Sequence, residues 1–115
     1  MKLAVNEIAK VCHEANRALT SIIGDVPVQA SWELCPEDMR ASCIRGVAFA
    51  LANPDAPPAA QHEAWMKDRL AQGWKWGPER SELEKTHPAL VPYEQLPEAV
   101  RKKDALFKAV VNALR

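Results

Sequence analysis

The chain has 115 residues with 15 basic and 15 acidic side chains, so its formal net charge at pH 7 is zero. This length supports one domain with a modest core and is too short for two ordinary domains. The balanced charge removes the overall attraction to nucleic acid or to an anionic membrane that a strongly basic protein has. We therefore expect a single folded unit without general nucleic-acid binding.

Neither secretion nor metal binding is indicated by the sequence. The first eleven residues, MKLAVNEIAKV, hold no uninterrupted apolar run, and no later stretch approaches the length of a membrane span. We therefore expect a cytoplasmic protein without a signal peptide or membrane segment. The three cysteines, Cys12, Cys35 and Cys43, form no CxxC pair, which favours buried free thiols over a disulfide framework or a zinc site.

Two helices are predicted in the N-terminal half of the chain. Apolar residues at spacings of three and four predict a first helix over residues 3–23, and Gly24 supplies its stop. Pro36 suits the first turn of a second helix, which ends at Asn53. The predicted inner faces consist of Val5, Ile8, Cys12, Ala15, Leu19 and Ile22 in the first helix and Met39, Cys43, Val47 and Leu51 in the second.

Two further helices are predicted in the C-terminal half, with an irregular segment between them. A third helix is expected over about residues 59–72, and a final helix begins near Pro97. Residues 74–96 contain three prolines and no periodicity, which predicts a loop with short β pairing between residues 75–77 and 90–92. The third helix is expected to turn Trp65, Met66 and Leu70 toward the core and Lys67, Asp68 and Gln72 toward water.

The final helix combines an apolar side with a basic side. Val100, Phe107, Val110 and Leu114 recur at helical spacing, and the opposite side carries Arg101, Lys102, Lys103 and Lys108. Such basic runs are usual on surface helices, so a solvated face is favoured over a phosphate site. The predicted fold class is mainly α, with about four helices, a Pro- and aromatic-rich irregular segment and a short β pair.

Three of the four tryptophans and the single tyrosine lie in one segment, residues 62–97, which reads HEAWMKDRLAQGWKWGPERSELEKTHPALVPYEQLP. A helix with Trp65 and Arg69 leads into Gly-Trp-Lys-Trp-Gly-Pro, followed by His-Pro and Leu-Pro. This segment resembles the ryanodine-receptor repeat domain, or RyR domain, which occurs in calcium-release channels and as small bacterial and bacteriophage proteins. The resemblance implies a single domain, with an RyR repeat core over residues 56–115 and a helical extension over residues 1–55.

Aromatic planes and cationic groups alternate in this segment, which is a suitable composition for a small-ligand site. A planar base stacks on such rings with about 1–3 kcal/mol, and guanidinium groups hold phosphate oxygens bidentately. The family resemblance implies an adenine nucleotide or an ADP-ribose-type molecule as the ligand. The candidate ligand-binding residues are Trp65, Arg69, Trp74, Lys75, Trp76, Arg80, Lys85, His87 and Tyr93.

Several of these candidates also have a purely structural interpretation. Trp74 follows a helix-ending glycine, where tryptophan often locks a loop to the core, and Trp65 suits a core position as well as a stacking platform. His87 precedes a proline, which favours an extended backbone and a structural hydrogen bond. Solvation is the default for Arg80 and Lys85.

No catalytic machinery is apparent in the sequence. It contains no GxSxG elbow, no Cys/His cluster with metal-ligand spacing and no grouped glycines for a phosphate loop. We therefore expect a non-enzymatic binding module, without metal or cofactor, for a nucleotide or nucleotide-derived small molecule. If the protein is phage-encoded, we expect it to sequester or sense a signalling nucleotide in the cytoplasm of a bacterial host. The alternative is a protein-interaction or assembly module such as a homodimer, and a nuclease or nucleotide hydrolase ranks third.

Overall fold

The computed structural model describes residues 3–25 and 28–115; Met1, Lys2, Val26 and Pro27 lie outside the described residues. The described chain contains four α-helices, two two-residue strands and one 3-10 turn. In chain order these are α1 (Val5–Ile23), α2 (Glu37–Ala52), α3 (Pro58–Ala71), β1 (Lys75–Trp76), β2 (Thr86–His87), the 3-10 turn (Tyr93–Gln95) and α4 (Glu98–Leu114). The predicted mainly α fold with four helices is confirmed.

Prolines and one glycine set most of the helix boundaries. Pro36, Pro57 and Pro97 stand immediately before α2, α3 and α4, where a residue without a backbone N–H leaves no helical hydrogen bond unmade. Gly24 ends α1 with a φ of 71°, and its N–H bonds back to the last turn of the helix. This left-handed conformation costs glycine little, so the predicted stop is explained physically.

Helix α4 packs against α1, α2 and α3, while α2 contacts both α1 and α3. Buried residues from α1, α2 and α4 meet where these helices join, and we call them the apolar core. Its members are Ile8, Ala9, Cys12, Val47, Ala50 and Val111. Full burial of a valine or isoleucine side chain stabilises a fold by about 1.5–3 kcal/mol, so this group holds the three helices together.

A second buried group lies where α2, α3 and the irregular segment meet. Cys35, Met39 and Trp74 are buried against one another. Arg69 of α3 joins them, because its guanidinium carbon lies 5.1 Å from the centre of the Trp74 ring and its Nη1 donates to Met39 Sδ at 2.8 Å. We call these four residues the mixed cluster, since a cation is buried among apolar groups.

The inward face of α3 differs from the predicted one. Leu70 was expected in the core but is 57% exposed, and Asp68 was expected to face water but is half-buried. The buried residues of α3 are instead Gln61, His62 and Arg69. Apolar periodicity alone does not reveal this face, because all three side chains are polar. Gln61 and His62 bond to backbone carbonyls, whereas Arg69 contacts Met39 and Trp74.

The strand at residues 75–76 falls where it was predicted, but the predicted partner was wrong. It pairs in parallel with Thr86–His87 rather than with residues 90–92. The carbonyl of Val91 accepts a hydrogen bond from the ring of His62 at 2.9 Å, so this stretch is committed to α3 and is not paired with β1. His87 lies in the short strand, which agrees with the extended backbone expected before a proline.

Two lysines of α4 depart from the prediction of a solvated basic face. Lys103 forms an ion pair with Asp25, and Lys108 donates to the carbonyl of Ala56.

Ile22 of α1 was expected to point inward but is 80% exposed. The last buried residue of α1 is Thr20, so the final turn of that helix lies beyond the apolar core.

The cysteines are free thiols, as predicted, and Cys12 and Cys35 are buried while Cys43 is half-buried. Burial raises the pKa of Cys12 and of Cys43 to about 12, which keeps both thiols protonated and unreactive. None of the helices in the described part of the chain has the length and apolar character needed to cross a membrane.

Candidate ligand-binding site

A cavity opens between the helices and the irregular segment. Its volume is about 1510 Å³, and all four helices contribute to its wall together with residues 78–80 and 87–89. Pockets for small molecules usually measure about 300–1,000 Å³. A ligand of nucleotide size therefore fits into part of this space.

Four of the nine candidate residues line the cavity, namely Trp65, Arg69, Arg80 and His87. Trp65 and Arg69 lie one turn apart on α3, and the guanidinium carbon of Arg69 is 5.8 Å from the Trp65 ring centre. The ring of His87, carried by β2, meets Trp65 edge-on with 5.0 Å between ring centres. The irregular segment therefore brings its cationic and imidazole groups to the aromatic side of α3.

Trp74 lies behind this wall and is only 4% exposed. Its ring is stacked near the Arg69 guanidinium and lies 6.5 Å from the ring of His87. The burial matches the structural interpretation, in which this residue anchors the loop to the core. Its indole N–H, however, finds no acceptor within residues 3–25 and 28–115. A buried donor left without a partner costs about 1–3 kcal/mol, so this N–H opposes the stability that burial of the Trp74 ring provides.

The remaining four candidates lie outside the cavity wall: Lys75, Trp76, Lys85 and Tyr93. The first two are exposed on β1. The ammonium of Lys85 donates to the carbonyl of Gln72 at 2.9 Å, which ties the end of the strand connection to the end of α3. Tyr93 lies 6.0 Å from the ring of His62 and carries the guanidinium of Arg101 over its own ring.

Arg69 is a buried cation that pairs with no carboxylate in the described part of the chain. It is 6% exposed, it donates to the weak acceptor Met39 Sδ, and its Nε bonds to no described residue. The adjacent carboxylate of Asp68 is occupied elsewhere, because it accepts from Arg45 at 2.7 Å and from Ser42 at 2.6 Å. Burial lowers the pKa of Arg69 despite these nearby negative charges. A buried charge is costly unless it is paired, so this position favours an incoming anion.

His87 is neutral and has a hydrogen-bond donor to offer. Its Nδ1 accepts the backbone N–H of Ala89 at 3.0 Å, which places the proton of the neutral ring on Nε2. Burial, together with the positive charges of Arg80, Arg69 and Lys103, lowers the pKa of His87 to about 3. The ring therefore stays uncharged at neutral pH and presents an N–H group.

Arg80 adds a further positive charge beside His87. Burial lowers its pKa, although Asp25 and Glu82 oppose this effect. No ion pair to Arg80 is found among the described residues. The surroundings of His87 are therefore rich in positive charge that the protein neutralises only in part.

Gly77 allows the strands beside the cavity to approach closely. A Cβ at this position would lie 2.6 Å from the Cβ of Thr86, which is nearer than nonbonded carbon atoms come. The N–H of Gly77 also reaches the carbonyl of His87 at 3.4 Å. A larger residue here would push β2, and His87 with it, away from the cavity wall.

The sequence-based candidates omitted His62 and Lys103, which both line the cavity. The Nε2 of His62 bonds to the carbonyl of Val91, its Nδ1 lies 3.5 Å from Asp104, and its ring stacks on Trp65. Burial lowers the pKa of His62, but the hydrogen bonds to Asp104 and Val91 outweigh burial and raise it overall. His62 shares a helix face with Trp65, a signal that was readable in the sequence. Lys103 reaches the cavity wall only because α4 packs beside it, and the sequence does not show this packing.

The described residues contain no group of three or more His, Cys, Asp or Glu side chains that could hold a metal ion. The fold and site together define a small helical domain with an aromatic and cationic cavity under a Trp-Gly-Pro loop. The model of the RyR domain family matches residues 56–114, which is just over half of the chain. The chain belongs to the RyR domain family. The matched part includes α3, both strands and α4, whereas the cavity wall contributed by α1 and α2 lies outside the match.

Proposed function

We propose that this protein is a non-enzymatic binding module for a nucleotide or a nucleotide-derived small molecule. The observation that carries the proposal is the buried cation Arg69, which lines the cavity, contacts the rings of Trp65 and Trp74 and has no carboxylate partner among the described residues. An aromatic, anionic ligand satisfies both features of this wall. Nucleotides combine a flat base with negatively charged phosphates, so they match it in chemistry.

Two kinds of contact support the proposal. Trp65 is half-buried at the cavity, where His62 stacks on its ring and His87 meets it edge-on, so a base would stack on the part of the ring that these contacts leave uncovered. Such base stacking is worth about 1–3 kcal/mol. Arg69 and Arg80 supply guanidinium groups, which recognise phosphate oxygens through paired hydrogen bonds. Adenine nucleotides and ADP-ribose-type molecules are the ligands we propose, with sensing or sequestration of a signalling nucleotide in the cytoplasm as the role. A phage-encoded member would act in this way inside its bacterial host.

Calorimetric titration of the full chain with adenine nucleotides and ADP-ribose tests the proposal. We expect saturable binding and a raised unfolding temperature, since a ligand at 100 times its Kd adds about 2.7 kcal/mol of stability. Intact ligand after prolonged incubation would agree with a non-enzymatic role. Absence of heat and of thermal stabilisation with every one of these ligands would contradict the proposal.

A protein-interaction or assembly module is the second candidate, favoured by large apolar side chains that the fold leaves open to solvent. Leu70, Trp76 and Leu83 are 57%, 56% and 95% exposed and lie within fourteen residues of one another in the chain. A contiguous exposed apolar patch is typical of a surface that meets a partner, and these are the side chains that such a surface would include. Light scattering at high protein concentration tests the homodimer, and a monomer would remove it.

A further inference from the structure

His62 holds three parts of the cavity wall together. It lies on α3, it is only 3% exposed, and its Nε2 donates to the carbonyl of Val91 in the irregular segment at 2.9 Å. Its Nδ1 lies 3.5 Å from a carboxylate oxygen of Asp104 on α4. Both His62 and Asp104 line the cavity. One imidazole ring therefore connects α3, the irregular segment and α4 at the edge of the proposed ligand site.

The surroundings of the His62 ring favour its doubly protonated form. A carbonyl oxygen only accepts hydrogen bonds, so Nε2 must carry a proton to bond to Val91. An ionised carboxylate also only accepts, so Nδ1 needs a second proton to be attracted by Asp104. Burial lowers the pKa of His62, but the hydrogen bonds to Asp104 and Val91 outweigh burial and raise it overall. The ring therefore stays an imidazolium up to a higher pH than an ordinary histidine does.

The same ring supports the indole that forms the aromatic side of the cavity. His62 precedes Trp65 by three residues and so shares its face of α3. The two rings are stacked, with 5.5 Å between their centres and 29° between their planes. A cation over the face of an indole is attracted to it, and more strongly where water is excluded. The imidazolium therefore holds Trp65 in place, and loss of its proton removes this attraction.

We infer that His62 is a positioning residue, which in its protonated form fixes the Trp65 ring for stacking by the base of the ligand. This inference rests on the proposed function and deepens it, because it makes the affinity of the site depend on pH. Deprotonation of His62 removes the cation from the Trp65 face and ends the ion pair with Asp104. Affinity should therefore be highest below the pKa of the His62 ring and should decrease as the pH rises through it.

Charged and titratable groups approach this part of α3 from each element packed around it. They are Asp104, Lys103, Arg101 and Lys108 from α4, Tyr93 from the 3-10 turn, His87 from β2, Arg45 from α2 and Arg69 from α3 itself. The two lysines and Arg45 are engaged with other partners. Burial and neighbouring positive charges lower the pKa of His87 to about 3, so this second ring at Trp65 stays neutral while His62 titrates. Asp104 forms the ion pair with His62, which makes it the group to change in a test.

The test measures the affinity of the full chain for adenosine by calorimetric titration between about pH 5 and about pH 9. Adenosine is the probe because it is uncharged over this range, so that no phosphate of the ligand titrates. The protonation of His62 is followed in parallel through its ring signals in proton–nitrogen NMR spectra, which His62→Gln assigns. We expect the affinity to fall about tenfold as the pH rises, with the same midpoint as the His62 signals.

Matched variants connect the pH dependence to the ion pair. Asp104→Asn keeps the size of the side chain and removes its charge, so both midpoints are expected to move to lower pH. Asp55→Asn makes the same chemical change at an exposed position outside the cavity and is expected to move neither midpoint. His62→Gln does not titrate, so its affinity is expected to lose the decrease with pH. Asp104→Asn keeps the test decisive if His62→Gln does not fold.

The outcomes separate the positioning role from the wider function. An adenosine affinity that does not change with pH, or whose midpoint stays in place in Asp104→Asn, would overturn the role of His62 and leave the nucleotide-binding function standing. Absence of adenosine binding at every pH would contradict a base-stacking site and with it the proposed function. The nuclear Overhauser contacts between the rings of Trp65 and His87, whose centres lie 5.0 Å apart, then decide the positioning role. Contacts that weaken as His62 loses its proton would uphold this role, and contacts that stay unchanged would overturn it as well.

Discussion

The two buried groups of this domain are built in opposite ways. The apolar core joins α1, α2 and α4 through side chains without formal charge, such as Ile8 and Val111. The mixed cluster joins α2, α3 and the irregular segment, and it contains the cation Arg69 and two donor atoms that find no acceptor within residues 3–25 and 28–115. Apolar burial stabilises a fold, whereas an unpaired buried charge opposes it. The comparison indicates that one region stabilises the fold, whereas the other bears the cost of a buried charge that the proposed ligand would offset.

Truncation of the apolar core is expected to have the largest effect on stability. Ile8 is 2% exposed, and an isoleucine-to-alanine change in a core costs about 2–5 kcal/mol because lost burial and a new cavity act together. Ile8→Ala should therefore lower the free energy of unfolding by that amount in a urea titration. Ile22→Ala is the matched control on the same helix, since Ile22 is 80% exposed and should change stability by less than about 0.5 kcal/mol. Equal losses in the two variants would contradict the assigned core.

The second prediction concerns acid pH and distinguishes His87 from His62, two of the histidines that line the cavity. His87 has a pKa lowered to about 3 from 6.5, so the unfolded chain takes up a proton that the folded chain refuses. The contribution of His87 to the free energy of unfolding should therefore be fully present above pH 6.5. It should decrease toward pH 5, by up to about 1.4 kcal/mol per pH unit. His62 has a raised pKa, so its contribution is complete below 6.5 and is lost as the pH rises through its folded value.

His87→Asn isolates the acid loss, because asparagine keeps an acceptor for the N–H of Ala89 and does not titrate. Urea unfolding at pH 6.5 and at pH 5 should show a smaller decrease in this variant than in the parent protein. If the variant loses as much stability as the parent protein between these pH values, groups other than His87 cause the acid sensitivity.

Replacement of the buried cation should have a smaller and opposite effect. Arg69→Met is expected to raise the free energy of unfolding by about 1 kcal/mol in the absence of ligand, because buried ionic groups are often replaced by apolar ones without loss. Its contacts with two tryptophan rings limit the gain, since such contacts contribute about 0.5–2 kcal/mol.

Arg45→Met is the comparison for the cation on the other side of α3. Arg45 is exposed and pairs with Asp68, so its loss should cost up to about 1 kcal/mol rather than raise stability. Denaturant titration of both variants measures whether each substitution raises or lowers the free energy of unfolding. A clear loss of stability in Arg69→Met would show that the aromatic contacts outweigh the cost of the buried charge.

The smallest effect is expected at Trp76, which the sequence placed among the ligand-binding residues. It is 56% exposed on β1 and does not line the cavity. Trp76→Phe should change neither the unfolding free energy by more than about 0.5 kcal/mol nor the affinity for a nucleotide. A tenfold loss of affinity in this variant would extend the site beyond the cavity described above.

The helices were predictable from the sequence because local chemistry sets their limits. Pro36 and Pro97 stand just before helices, and Gly24 adopts the left-handed conformation that ends α1. The partner of β1 was not predictable, since the pairing depends on the space left by Gly77 and on the hydrogen bond that occupies Val91. Both are tertiary contacts, which the periodicity of apolar residues in the sequence does not predict.

The site was predictable in part for the same reason. Trp65 and Arg69 share one face of α3, and their side-chain chemistry alone suggested a ligand. The contribution of Lys103 and Asp25 depends on α4 packing beside the link that follows α1. The sequence also did not predict that Arg69 is buried away from a carboxylate. The adjacent Asp68 is the obvious partner in sequence, but the fold directs it to Arg45.

The position of Trp65 at the cavity wall and of Trp74 behind it has a practical consequence for optical work. Indole emission responds to nearby charge and to the displacement of water, and both change when a ligand enters beside Trp65 and Trp74. The other two tryptophans lie elsewhere, Trp32 against His13 and Trp76 on the exposed strand. Replacing Trp32 and Trp76 by phenylalanine would leave a protein whose intrinsic fluorescence comes from the site alone. The domain would then report its own occupancy without an added dye, at the low concentrations that tight affinities require.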